Sequence, residues 1–167
     1  MSRIVTTDFA VAKAPTALRE TTLAITLFAL RAYLAFVWLR FGIMKLQGGW
    51  LTTNPLRPLL TLIAAGQLPT SASGYSFVAR ALVATHADVA LSIIIPCTEI
   101  AVGLALLAGF RVRTAAAIAC ALNANLLLAG IASVSLDGRM IVLQIILISL
   151  ATLAPHHARR IFPAWKK

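Results

Sequence analysis

A small number of polar side chains within long apolar runs are the residues of this chain best placed to do chemistry. Arg31, Glu99, Asn123 and Asn125 each stand in such a run. An ionised side chain in apolar surroundings is costly, so it is usually paired or functional. We therefore expect Arg31 and Glu99 to face each other, with one of the two asparagines completing their hydrogen bonds.

The composition indicates that the surroundings of these residues are a membrane. Of 167 residues, 60% are hydrophobic and 12% are charged, and the mean hydropathy is +0.89, whereas a soluble domain carries about 25% charged residues. Two cysteines are too few for a disulfide-stapled secreted chain. The chain is therefore expected to be a polytopic membrane protein whose first partner is the lipid bilayer.

The net charge of +10 could indicate a nucleic-acid partner, but the placement of the basic residues argues against it. They lie at the ends of apolar runs rather than in one patch, as expected of side chains that anchor helices at a lipid–water interface. No nucleic-acid partner is expected.

Four apolar stretches are long enough, or nearly so, to cross a bilayer core, which takes about 20 helical residues. They are residues 22–45, 89–110, 114–134 and 140–154. The predicted fold class is all-α, an integral membrane four-helix bundle over residues 22–154. An N-terminal tail (1–21) and a basic C-terminal tail (155–167) flank this domain.

Lys and Arg residues outside the spans favour one orientation. Nine lie on the side that holds both termini and four lie on the other. Since cytoplasmic loops carry the excess of positive charge, both termini are expected in the cytoplasm. The nine are Arg3, Lys13, Arg19, Arg111, Arg113, Arg159, Arg160, Lys166 and Lys167, and the four are Lys45, Arg57, Arg80 and Arg139.

The predicted connections differ in length. Residues 110–113 form a tight cytoplasmic turn, and residues 135–139 form a short outer turn with Asp137 and Gly138 as turn formers. The outer segment 46–87 is long. Its apolar pieces 56–68 and 75–85 are too short to span, so we expect short interfacial or re-entrant helices that cap the bundle from outside.

Depth arithmetic places the polar residues near one plane. At the rise of an α-helix, Arg31 lies about 13 Å from the cytoplasmic end of the first span, and Glu99 lies about 15 Å from the outer end of the second. Asn123 and Asn125 lie about 15–18 Å from the inner face in the third. These two are about 200° apart around a helix, so one of them faces the pair, and the sequence leaves open which.

One face of the first helix carries an aligned stripe. Arg31, Trp38 and Lys45 are spaced by seven residues, and Ala35 and Gly42 between them leave room for a bound ring or for a neighbouring helix. Two plainer interpretations stay open. The buried charges can serve only to fix helix register, and Trp38 can be an anchor at the membrane interface.

Metal and haem centres are not expected. His86 lies on the outer side, whereas His156 and His157 lie at the cytoplasmic end, so the three cannot share one ion or ligate a haem inside the bundle. Cys97 and Cys120 lack the Cys-x-x-Cys spacing of a redox-active pair.

Three segments carry a resemblance to a known family. The first is residues 31–45 with the Gly-Gly-Trp at 48–50, and the second is residues 96–113, from Pro-Cys-Thr-Glu to a Gly-Phe-x-x-Arg turn. The third is residues 123–130, Asn-Ala-Asn followed by an apolar run and Gly130. Together they resemble DoxX-like membrane proteins, in particular the DoxD branch, the small subunit of thiosulfate:quinone oxidoreductase.

The resemblance implies a four-helix bundle in the cytoplasmic membrane of a prokaryote, linked to quinone chemistry. Arg31, with one asparagine, would bind a quinone carbonyl, and Glu99 would hold Arg31 or carry the proton that accompanies reduction. Trp38 would stack on the ring. The residues expected to bind the quinone are Arg31, Trp38, Gly42, Lys45, Glu99, Asn123 and Asn125, of which Glu99 and Arg31 would be catalytic.

The sequence contains no recognisable electron carrier, so quinone reduction would need a second protein subunit, and a homo-oligomer is an alternative assembly. The expected function is a membrane subunit that binds quinone within the bundle and supports electron transfer from a partner to the quinone pool. Two alternatives stay open. One is a non-catalytic membrane scaffold for a peripheral redox or stress-response partner, and the other is a small transporter, suggested by the central charges.

Overall fold

The computed structural model of the chain describes residues 14–68, 74–130 and 134–153. Within these residues every regular element is a helix, which confirms the predicted all-α class. The predicted C-terminal tail, with His156 and His157, and residues 1–13 of the predicted N-terminal tail lie outside the described residues. The helices are α1 (Ala14–Gln47), α2 (Trp50–Thr53), α3 (Leu56–Ala64), α4 (Tyr75–Ala84), α5 (Ala87–Ala108), α6 (Val112–Leu128) and α7 (Val134–Leu153).

The start of α7 corrects one predicted connection. The helix begins at Val134, so the turn predicted at 135–139 is wrong. Asp137 lies in the first turn of α7, where a negative charge is stabilised by the positive end of the helix dipole. An acidic residue beside a glycine is therefore compatible with a helix start as well as with a turn.

The chain reverses between α5 and α6 within three residues, which is the tight connection expected there. Gly109 has a left-handed backbone (φ 73°), its amide donates to the Leu106 carbonyl (3.2 Å), and the Phe110 amide donates to the Ala105 carbonyl (2.9 Å). This Schellman arrangement ends a helix at a glycine because glycine lacks the Cβ that would clash in that conformation.

Two glycines let α1 and α5 pack closely and set their register. A Cβ on Gly42 would lie 2.6 Å from Ile100 Cγ1 and 3.1 Å from the Pro96 carbonyl oxygen. A Cβ on Gly103 would lie 2.9 Å from the backbone nitrogen of Leu39. The helices are therefore antiparallel neighbours, with Gly42 level with residues 96–100 and Leu39 level with Gly103.

The four long helices contact one another in a closed order. α1 packs on α5, α5 on α6, α6 on α7, and α7 on α1, and the α1–α5 and α6–α7 contacts are the most extensive. We call these four helices the four-helix core. Their inward residues form one apolar cluster that includes Leu34, Trp38, Leu106, Ala116 and Leu147.

Helices α3 and α4 form a second, smaller unit against one end of the four-helix core. They pack on each other and on α5, and their apolar cluster reaches Leu91 and Ile95 of α5 and Ala129 after α6. The Tyr75 hydroxyl at the start of α4 donates to Asn125 Oδ1 (3.1 Å). The two short helices predicted at 56–68 and 75–85 are thus present and cover this end.

Two of the described helical segments are long and apolar enough to cross a membrane. They are residues Glu20–Gln47 of α1 and the whole of α5, Ala87–Ala108. Helix α6 is a shorter apolar helix.

Candidate functional site

A buried ion pair joins α1 and α5. The Glu99 carboxylate, 3% exposed, bonds through Oε1 to the Lys45 ammonium, whose side chain is 21% exposed. Lys45 also lies over the Trp50 ring, with Nζ 5.1 Å from the ring centroid. Because Lys45 reaches the surface and Glu99 does not, the pair connects the interior of the four-helix core with its exterior.

Arg31 does not form the predicted pair with Glu99. It is buried, and its guanidinium lies 5.5 Å from the centroid of the Phe28 ring. The α1–α5 register places Glu99 level with Gly42, and the 11 positions from Arg31 to Gly42 amount to about 16 Å along the helix. The shared depth expected for Arg31 and Glu99 is wrong because α1 and α5 are offset along their axes, which residue counts from assumed membrane ends do not reveal.

The inward stripe of α1 is present, but protein fills the space beside it. Trp38 is 1% exposed and Ala35 is fully buried, both within the main apolar cluster, so Trp38 is a core residue rather than an exposed anchor. Ile100 and Pro96 occupy the open side of Gly42. The space beside Gly42 is therefore taken by the neighbouring helix α5 and not left open for a bound ring.

The structure separates the two asparagines. Asn123 is 3% exposed and faces the four-helix core, whereas Asn125 lies on an exposed face of α6 and accepts the hydrogen bond from Tyr75. Burial raises the pKa of the Tyr75 hydroxyl. Asn123 is therefore the asparagine at the centre, and Asn125 docks α4.

Several polar atoms inside the four-helix core have no hydrogen-bond partner among the described residues. They are Trp38 Nε1, Glu99 Oε2, Asn123 Nδ2 and both amide atoms of Gln144. Each of the four helices contributes one of these side chains. Buried unpaired polar groups cost about 1–3 kcal/mol each, so they are rare and call for an explanation.

These unpaired groups occupy one band of the four-helix core. The glycine contacts place Trp38 about one turn from the level of Glu99. Counted from the α5–α6 turn, Asn123 is level with about residue 97 of α5. Helix α6 ends at residue 128 and α7 begins at residue 134, so counting back from these ends places Gln144 level with about residue 118 of α6. Residue 118 is level with about residue 102 of α5, which is about the level of Trp38. The band is therefore about 8–9 Å deep.

Gln144 was missed by the sequence analysis, although a signal was present. It stands in the run Leu143 to Ile146, where the other residues are apolar, and it is fully buried. A glutamine inside a predicted membrane span has the same free-energy cost of burying an amide group as the two asparagines have.

A second polar network, missed by the sequence analysis, surrounds Asp88 at the start of α5. Asp88 is fully buried, accepts a hydrogen bond from Asn54 Nδ2 (2.6 Å) and lies 3.6 Å from Arg57 Nη1. Ser92 donates to Asn54 Oδ1 (2.6 Å), and Arg57 donates to His86 Nδ1 (3.1 Å). The signal was the helical spacing of Asp88, Ser92 and Glu99, which lie on the buried face of α5.

The described residues contain no group of three metal-ligating side chains. Cys97 and Cys120 are free thiols.

Comparison of the chain with protein families, with curated proteins and with solved structures found no match. The function proposed below therefore rests on the geometry of the site and on the sequence motifs.

Proposed function

We propose that α1, α5, α6 and α7 cross the cytoplasmic membrane of a prokaryote as a four-helix bundle, with both termini in the cytoplasm. Large apolar side chains on the outward faces of these helices support this placement, among them Phe36, Leu107, Ile118 and Ile145, all exposed. Soluble proteins rarely expose large apolar patches. Lipid chains would cover it, and the short helices α3 and α4 would lie at the outer interface.

We further propose that the bundle binds a quinone or quinol at the band of unpaired polar groups. The observation that carries this proposal is the composition of that band. Trp38, Asn123 and Gln144 offer N–H donors, and Glu99 Oε2 and Gln144 Oε1 offer acceptors. Quinone carbonyls need donors and quinol hydroxyls need acceptors, so both redox forms fit this set of groups.

The residues of the band would have distinct tasks. Asn123 and Gln144 would orient the carbonyl groups from α6 and α7, and the Trp38 N–H would add a donor from α1. Glu99 would accept a hydrogen bond on Oε2 while Lys45 holds its other oxygen. The partly exposed Lys45 would pass protons between the surface and Glu99, since quinone reduction consumes two electrons and two protons.

Arg31, which the sequence analysis expected to bind a quinone carbonyl, is not part of the proposed site. Its level, about 16 Å from that of Glu99, is outside the band. The proposed binding residues are therefore Trp38, Lys45, Glu99, Asn123 and Gln144.

The electrons would come from a partner subunit, and the chain would act as the quinone-binding membrane subunit of an oxidoreductase. The resemblance of residues 31–50, 96–113 and 123–130 to DoxX-like proteins of the DoxD branch supports this part of the proposal.

Quinone content tests the proposed site. Wild type and the Asn123→Leu and Gln144→Leu variants would be purified from native membranes in mild detergent, and quinone extracted per chain would be measured by chromatography. We expect near-stoichiometric quinone in the wild type and a loss of about tenfold or more in each variant, because each loses a hydrogen bond to the ring. Asn125→Leu is the matched control and should retain quinone.

Thermal unfolding of the same samples distinguishes a binding site from a scaffold. Leucine removes unpaired polar atoms, so both core variants should be as stable as quinone-free wild type or more stable. Loss of quinone from such stable variants supports the proposal. Background quinone in the wild type would overturn it and favour the non-catalytic scaffold.

A further inference from the structure

A groove of about 580 Å³ runs between α5 and α6. It borders the tight turn that joins these two helices. Its walls are apolar or small residues, including Ile94, Ala101, Ala105 and Ile118, and Arg111 lies at its end next to the turn. The groove is separate from the band of unpaired polar groups, because Glu99 and Asn123 do not line it.

The end of the groove at the turn carries positive charge from Arg111. Among the described residues no carboxylate pairs with Arg111, whose guanidinium lies 5.7 Å from the centroid of the Phe110 ring. Thr114 lines the same end. Helix α6 starts here at Val112 without a side-chain cap from the described residues, so the free N–H groups of its first turn also attract negative charge.

The apolar wall of the groove on α5 is about as long as one leaflet of a bilayer is deep. Its lining residues on α5 run from Ile94 to Ala105, about 16 Å along the helix, and half of a hydrocarbon core is about 15 Å. An acyl chain along this wall would place its headgroup beside Arg111. In the proposed topology, that headgroup belongs to the cytoplasmic leaflet.

We propose that this groove binds one anionic glycerophospholipid of the cytoplasmic leaflet, with its phosphate at Arg111 and the first turn of α6 and an acyl chain between α5 and α6. This inference rests on the membrane placement of the proposed function but not on quinone binding. Basic residues between membrane helices on the cytoplasmic side commonly hold such lipids.

Other occupants fit the groove less well. The isoprenoid tail of a quinone is uncharged and would give the Arg111 guanidinium no partner. A helix from a second copy could use the small residues Cys97, Ala101 and Ala105, but an apolar helix would give Arg111 no anionic partner.

Native mass spectrometry of the purified protein with added phosphatidylglycerol or phosphatidylcholine tests the proposal. Wild type should retain one phosphatidylglycerol and discriminate against phosphatidylcholine. Arg111→Asn should lower phosphatidylglycerol retention about fivefold, because asparagine tolerates the left-handed backbone of residue 111 (φ 43°) but lacks the charge. Arg113→Asn removes the same charge two residues away, outside the groove lining, and should retain the lipid.

A second variant tests the acyl chain wall. Ala101→Trp should fill the groove and reduce lipid retention while quinone content stays at the wild-type level. Equal retention of both lipids by the wild type, or equal losses in the Arg111 and Arg113 variants, would overturn the proposal. So would efficient Cys97-to-Cys97 cross-linking in membranes, which would place a second copy in the groove. Wild type that lacks quinone but shows Arg111-dependent lipid binding would overturn the quinone site and leave this inference standing.

Discussion

At the scale of single residues, Lys45 supplies the counter-charge of the buried Glu99 carboxylate. A carboxylate this deeply buried needs a compensating charge, because desolvation disfavours the ionised form. Lys45 supplies that charge through Oε1, and Oε2 is left without a partner among the described residues. The long side chain of Lys45 reaches from near the end of α1 to the buried carboxylate and stays 21% exposed overall.

Removing either partner of this pair tests its contribution. Lys45→Met should lower the free energy of unfolding by about 3 kcal/mol, because it leaves the buried Glu99 charge unpaired. Glu99→Gln should cost less, since Lys45 can turn to solvent. The double variant should be less destabilised than the sum of the two, with a coupling of about 1–3 kcal/mol in thermal unfolding in detergent. Strictly additive losses would contradict the pair, and Arg40→Met, an exposed charge on the same helix, is the control.

At the scale of elements, the contact between α1 and α5 organises the site. Gly42 of α1 packs against α5, and Gly103 of α5 packs against α1. Because neither glycine has a side chain, the two backbones approach closely and the register between the helices is fixed. This register brings Lys45 to Glu99 and carries Arg31 away from it. Pro96 lies in the same contact, and its ring removes one backbone donor from α5.

A methyl group at Gly103 should disturb this contact. Its Cβ would lie 2.9 Å from the Leu39 backbone nitrogen, and a backbone atom cannot rotate away as a side chain can. Gly103→Ala should therefore cost about 1–3 kcal/mol of unfolding free energy and weaken the Lys45–Glu99 coupling. Gly74→Ala, where no atom lies within 4 Å, should change the free energy by less than about 0.5 kcal/mol. Equal effects of the two substitutions would show that the close approach does not limit the packing.

At the scale of the whole molecule, the distribution of apolar side chains is the one expected of a protein surrounded by lipid chains along its helices and by water at its ends. The outward faces of the long helices carry large apolar residues, whereas the unpaired polar groups lie inside. This reverses the pattern of a soluble domain, in which polar residues cover the outside. The short helices α3 and α4 pack against the end where α5 begins, and in the Asp88 network Asp88 and Ser92 are buried while Arg57 and His86 reach the surface.

Cysteine labelling tests the proposed topology. In a Cys97→Ala/Cys120→Ala background, Thr85→Cys before α5 and Phe110→Cys after it mark the two ends of one helix, and both positions are exposed. With α5 about 33 Å long, an impermeant maleimide should label residue 85 in intact spheroplasts and residue 110 only after permeabilisation. Labelling of both positions in intact spheroplasts would contradict a membrane-crossing α5.

The sequence alone determined the helical class, because apolar runs broken by Gly and Pro constrain local structure directly. It also placed Arg31, Trp38 and Lys45 on one face of the first helix, since a helix period of 3.6 residues fixes which side chains share a face. It indicated Glu99 and one of the two asparagines as inward-facing, without deciding between Asn123 and Asn125.

Tertiary structure decided which of these residues meet. The pairing of Glu99 with Lys45 rather than Arg31 depends on the offset of α1 against α5, which arises from Gly42 and Gly103 packing on residues far away in the chain. The Asp88 network likewise joins Asn54 and Ser92 across 38 positions. Helix periodicity gives the face of a residue but not its height against a neighbouring helix, because that height is set by side-chain packing between segments distant in sequence.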